Sequence, residues 1–132
     1  REGTATVSFE SFTEEAFVYA DKNQMVSVFN NLVKNAIQSI PDYKVGFVEV
    51  NVFDDNGLIV ATVKDNGTGI PDDIKEKVFV PNFTTKNSGS GLGLAITKQI
   101  VEGTGGKIWF ETEQNVGATF YVRLKKESVS VR

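Results

Sequence analysis

Eight apolar residues constrain this chain more than any other feature: Met25, Val28, Phe29, Leu32, Val33, Ala36, Ile37 and Ile40 recur at i, i+3, i+4, i+7 spacing. That period marks one amphipathic helix, whose apolar stripe has to be buried against another layer. Asp21 stands ahead of it as an N-cap, with Gln24 at the capping-box position, and Pro41 stops the helix after its last apolar residue. The covering layer comes from β-rich runs on either side. Residues 4–12 alternate around Val7 and Phe9. "FVEVNVF" (47–53) and "LIVATVKD" (58–65) are joined by "DDNG", whose Asn56-Gly57 is a hairpin-turn signal, and "KIWFETE" and "GATFYVRLK" form a second pair. "DDIKEKVFVP" suggests a short helix. "LGLAITKQIVEG" places Leu92, Ile96 and Ile100 one turn apart, with Gly103 as C-cap. The order β, α, β, β, short α, loop, α, β, β predicts an α/β two-layer sandwich. Its sheet is mixed and largely antiparallel, covered on one face by about three helices and open on the other to solvent or a partner. No repeat or linker interrupts the 132 residues, which read as a single domain.

Composition narrows the chemistry. Hydrophobic residues make up 40% of the chain, enough for a core without metal or disulfide staples. The net charge of −3 and the lack of a basic block argue against nucleic acid as a partner. With no cysteine there is no disulfide framework and no thiolate zinc site, which fits a reducing compartment. The apolar runs are too short to span a bilayer, so no direct membrane contact is expected. No signal-peptide pattern opens the chain, and both ends read as edges of a larger protein. There is no histidine, so imidazole chemistry can enter only from another chain or domain.

The helix carries an oddity. "NNLVKNAIQSI" (30–40) holds three asparagines, which are middling-to-poor helix formers. On the helical wheel Asn31 lies nearly opposite the apolar stripe and Asn35 at its edge, one turn apart, with Lys34 and Gln38 on the same polar side. Most such faces are simply solvated. The sharper reading is a ligand surface, since amide oxygens suit Mg²⁺ and Lys34 can meet phosphate. Two downstream stretches favour it. "DNGTGI" (65–70) ends a strand with an acceptor carboxylate and two glycines that allow close backbone approach. "GSGLGL" (89–94) runs straight into a helix, where free N–H groups can hold anions. It is neither a P-loop, lacking Gly-Lys-Ser/Thr, nor a dinucleotide fingerprint, its third glycine being misplaced.

Taken in order, these stretches resemble the ATP-binding catalytic domain of bacterial sensor histidine kinases, in the GHKL superfamily that also includes gyrase B and MutL. "NNLVKNAIQSI" is similar to the N box, "DNGTGI" to the G1 box, "VFVPNFTTK" (78–86) to the F box and "GSGLGLAITKQIV" to the G2 box. The likeness runs from Asp21 to Leu124 and implies the Bergerat α/β sandwich. It implies ATP and Mg²⁺ as ligands. Asn35 would ligate the metal. Asn31 and Lys34 would act at the phosphates, and Asp65 would accept a hydrogen bond from the adenine amino group. Gly67, Gly69 and Ile70 would line the base, with Thr119 assisting through water. Residues 81–90 would form an ATP lid, disordered without nucleotide and ordered with it. Lys86, Gly89, Gly91, Leu92 and Gly93 would contact the phosphates. Phe79 and Phe83 would anchor the lid, and Trp109 would be core or sheet surface.

The resemblance also implies a cytoplasmic domain, whose parent can be membrane-anchored. The partners would be a histidine-containing dimerisation domain absent from this chain and, indirectly, a response regulator. ATP-hydrolysing members of the superfamily carry glutamate where Asn31 stands. An amide is no base at neutral pH, so slow hydrolysis and phosphoryl transfer to a histidine are expected. The alternative is a nucleotide-dependent protein-binding module, a degenerate kinase or an anti-sigma-like regulator.

Overall fold

In the computed structural model, residues 5–13, 21–81 and 93–126 are described. Helix α1 (Lys22–Gln38) starts where the Asp21 carboxylate accepts the Gln24 N–H at 3.0 Å. It ends at Ser39, whose N–H reaches the carbonyls of Asn35 and Ala36 and whose hydroxyl donates to Ala36 O at 2.7 Å. The carbonyls of Asn35 and Ala36, in the last turn, are thus satisfied two residues before Pro41. The strands are β1 (Ala5–Ser11), β2 (Gly46–Asp55), β3 (Leu58–Asp65), β4 (Lys107–Glu113) and β5 (Gly117–Lys125). They form one sheet in the order β1-β2-β3-β5-β4, with β1 parallel to β2 and the other pairs antiparallel. Asn56 and Gly57 take φ of 51° and 86°, the left-handed pair that a two-residue hairpin turn requires.

Helix α2 (Gly93–Gly103) packs beside α1 on the same side of the sheet. The expected third helix is a single 3₁₀ segment, Asp72–Lys77, with Ile74 N–H bonded to Pro71 O. Six residues between Pro71 and a buried Val78 leave no room for a longer α-helix.

The core lies between helices and sheet. Val28, Leu32 and Ala36 of α1 and Val101 of α2 meet Val48, Val63, Phe120 and Val122 from the strands. Each fully buried valine or leucine there contributes about 2 kcal/mol. Because strand residues alternate, the partners Val48, Asp65, Ala118 and Thr112 share this helix-covered face. The other face carries a stacked Trp109–Tyr121 pair (centroids 5.1 Å apart) flanked by Lys107 and Arg123, so Trp109 belongs to the sheet surface.

Candidate functional site

The site begins where β3 runs out. Asp65 is the last residue of the strand and 5% exposed, on the helix-covered face. A carboxyl can sit so deep only when hydrogen-bonded. Its Oδ1 accepts the Gly67 N–H at 2.8 Å and the Ala118 N–H at 3.3 Å. One bond comes from the turn it leads and one from the neighbouring strand β5, so the carboxyl is oriented by two elements at once.

The turn that follows is clasped on both sides. Gly67 lies against the end of α1, where a Cβ would stand 2.2 Å from Ser39 Oγ, and Thr68 N–H donates to Ser39 O at 3.1 Å. On the opposite side Thr68 O accepts the Asn115 N–H at 2.7 Å. Gly69, at φ +74°, presses on the β4–β5 hairpin, and a Cβ there would lie 2.5 Å from Glu113 O. Ile70 N–H donates to Thr112 Oγ1 at 2.9 Å, and that hydroxyl donates onward to Gly117 O, also at 2.9 Å. Asn66 spans the rim: its Oδ1 accepts Phe47 N–H at 2.7 Å and its amide donates to Val45 O at 3.0 Å. Of the expected residues, Asp65, Gly67, Gly69 and half-buried Ile70 are therefore brought together.

The polar side of α1 differs from its helical-wheel reading. Asn31 is half-buried, and its Nδ2 donates to Thr97 Oγ1 on α2 at 3.4 Å. Thr97 itself is fully buried. A wheel knows one apolar stripe, but α1 packs against two neighbours, the sheet and α2, and Asn31 faces the second. Asn35 is also half-buried, while Lys34 is exposed.

Thr119 is not brought to Asp65. It pairs with Lys64 and Glu111 on the opposite face, and the β5 residue beside the carboxyl is Ala118, acting through its backbone. Strand alternation makes this a one-residue correction. Gly93 opens α2. Lys86, Gly89, Gly91, Leu92, Phe83 and the lid beyond Pro81 lie outside the described residues. Phe79 sits in an aromatic cluster with Phe110 (5.9 Å) and Phe120 (6.2 Å), with the Lys98 ammonium over its ring.

Three residues with no role in the sequence reading hold the site: Ser39, Thr97 and Thr112. Thr112 had a signal, since counting by twos from Ile108 and Phe110 puts it on the core face, where a lone hydroxyl needs a partner.

The model of the histidine kinase-, DNA gyrase B- and HSP90-like ATPases matches residues 20–128. The chain belongs to this family. Its fold is that of a histidine kinase catalytic domain. The nucleotide-free catalytic domain of histidine kinase ThkA superposes with a TM-score of 0.81 at 37% identity, covering 92% of this chain and 79% of that one. Among curated relatives, sporulation kinase A of Bacillus subtilis (strain 168) is 36% identical over 114 residues, 86% of this chain. The C4-dicarboxylate transport sensor protein DctB of Rhizobium meliloti (strain 1021) is 44% identical over 103 residues, 78% of this chain. The chain spans only 18% and 16% of these two relatives' lengths. No helix among the described residues is long and apolar enough to cross a membrane.

Proposed function

We propose that this site binds Mg-ATP and passes the γ-phosphoryl group to a histidine on a dimerisation domain outside this chain. The observation that carries the reading is the Asp65 carboxyl, buried beneath a two-glycine turn and oriented by two backbone N–H groups. An ionised carboxylate is acceptor-only, which suits it to a donor such as an exocyclic amino group. Adenine offers that donor where guanine offers a carbonyl. Gly67 and Gly69 keep side chains out of the turn, and Ile70 gives the base an apolar wall.

The phosphates would then lie along α1 toward the start of α2. Lys34, exposed on α1, supplies a positive charge there, and Asn31 a neutral amide. The half-buried Asn35, one turn from Asn31, fits Mg²⁺, a hard cation that takes one or two protein oxygens and completes its shell with phosphate and water. The metal would neutralise charge on the phosphates. Lys86, Gly89, Gly91, Leu92 and Gly93 would close over them.

The transfer step needs a nucleophile that the chain lacks, since it contains no histidine. The incoming imidazole nitrogen would bond to the γ-phosphorus as the bond to the ADP oxygen breaks. Asn31 has no basic lone pair to deprotonate water, so hydrolysis would compete poorly. The domain's part is position and charge neutralisation. The phosphoryl group would pass on to a response regulator. Histidine kinase ThkA, 34% identical, has been solved in complex with the response regulator TrrA. The domain would work in the cytoplasm, whether or not its parent is membrane-anchored.

The test is to incubate the chain with γ-labelled Mg-ATP and the histidine-bearing helical hairpin of its parent protein. Acid-labile, alkali-stable label on the hairpin is expected. ATP binding without label transfer would move the function to the nucleotide-switched binding module.

A further inference from the structure

We infer that Thr97 is a positioning residue for Asn31, setting which end of the Asn31 amide the phosphates meet; this rests on the nucleotide reading above. An asparagine side chain is ambiguous by construction. One end donates, the other accepts, and a half-turn about the last side-chain bond exchanges them. At the edge of a phosphate site the two orientations have opposite signs. The amide N–H₂ attracts phosphate oxygens, whereas the carbonyl repels them and suits a cation's water shell.

Three features of α1 and α2 remove the ambiguity. Asn31 is half-buried, so water cannot freely satisfy a flipped amide. Its Nδ2 donates to Thr97 Oγ1, 3.4 Å away across the interface between the helices. Thr97 is fully buried in the middle of α2, so its hydroxyl is fixed by packing. Helical threonine hydroxyls can also donate back to a carbonyl one turn earlier, which leaves their oxygen as an acceptor. An acceptor on α2 holds the nitrogen end of Asn31, so the carbonyl end is the one turned away from α2.

Two substitutions separate positioning from packing. Thr97→Val keeps the volume and removes the acceptor. Thr97→Ser keeps the acceptor and leaves a methyl-sized gap. Mg-ATP and adenosine affinities should be measured by calorimetry for wild type, both variants, Asn31→Ala, and Asn31→Ala combined with Thr97→Val. Because the carbonyl end suits the water shell of the cation that accompanies ATP, Thr97→Val is expected to weaken Mg-ATP roughly three- to tenfold, the worth of one partly buried hydrogen bond. Adenosine should be unaffected, Thr97→Ser should bind Mg-ATP like wild type, and Thr97→Val should add nothing in the Asn31→Ala background. A loss in Thr97→Ser that exceeds the loss in Thr97→Val would assign Thr97 to packing alone and overturn the inference. Additive losses in the double variant, or unchanged Mg-ATP affinity in Thr97→Val, would overturn it equally. A folded wild type that binds neither ligand would instead refute the nucleotide reading beneath it.

Discussion

The two ends of the site are built on different principles. At the Asp65 end, four elements converge on one turn: α1 through Ser39, β3 through Asp65 itself, β4 through Thr112 and β5 through Ala118 and Gly117. Its groups are held mostly by backbone, in bonds of 2.7–3.3 Å. At the Asn31 end an amide-to-hydroxyl bond of 3.4 Å links side chains of two helices, and Lys34 is exposed. A flat, uncharged base needs a rigid slot, because its discrimination depends on where a few donors and acceptors stand. Phosphates that must be gripped, transferred and released suit side chains that can adjust. The contrast implies that damage at the first end should destabilise the fold along with binding. Damage at the second should change ligand affinity and leave the fold intact.

The sharpest way to break that contrast is Gly117→Ala. Gly117 holds φ at +147°, and a Cβ would fall 2.1 Å from the backbone oxygen of Asp65. Neither backbone can yield without opening the β3–β5 ladder, so a stability loss above about 3 kcal/mol is expected. Gly57→Ala is the control. Gly57 also has positive φ, +86°, but nothing lies within 4 Å of its Cβ position, so only strain of about 1–2 kcal/mol should appear. Denaturant melts of the two proteins compare them directly. Equal losses would mean that the close approach at Asp65 carries no weight.

A smaller effect is expected from Thr112→Val. It strands the Ile70 N–H and removes the donor to Gly117 O, at a cost of about 1–3 kcal/mol. Nucleotide affinity should fall with stability here, whereas Lys34→Ala should weaken Mg-ATP and leave the melting midpoint unchanged. Independent behaviour of affinity and stability in Thr112→Val would blur the distinction between the two ends.

The weakest effect should lie far from both. On the open face the Tyr121 hydroxyl donates to Glu111 Oε1 at 2.6 Å, and this bond raises the phenol above its ordinary 10.0, with burial and the carboxylate's charge adding to it. The protonated phenol is the form the fold favours. Its contribution is therefore full below the ordinary value and lost as pH rises through the raised one. Glu111→Gln should bring phenolate absorbance on at lower pH and leave nucleotide binding untouched. No change in the titration would mean that the bond does not persist in solution.

Much of the scaffold was legible because it is written in period. The spacing from Met25 to Ile40 and the cap at Asp21 place α1, and Asn56-Gly57 places the β2–β3 hairpin. Asp65 and its glycines were legible as a strand-end turn. What escaped depends on register and packing, which no single segment contains. The resemblance implies that Thr119 assists the base through water, yet pairing of Asp65 with Ala118 puts Thr119 on the other face, and a one-residue shift reverses every side chain of a strand. The helical wheel sets Asn31 nearly opposite the apolar stripe because it cannot include α2, which Asn31 faces. Alternation along β4 puts the Thr112 hydroxyl on the core face, but its partner, like that of Ser39, lies in a turn far away in sequence, so nothing local names it.

The central claim is that Asp65 is the base-reading group of a nucleotide site. Calorimetry of Mg-ATP with wild type and Asp65→Asn, both checked for folding by near-ultraviolet circular dichroism, tests it most directly. The amide can turn a donor toward the Gly67 and Ala118 N–H groups or toward adenine, and either choice forfeits a bond. Binding by wild type and at least a roughly tenfold loss in the folded variant is the expected result. Equal affinities would contradict the claim and place the base elsewhere.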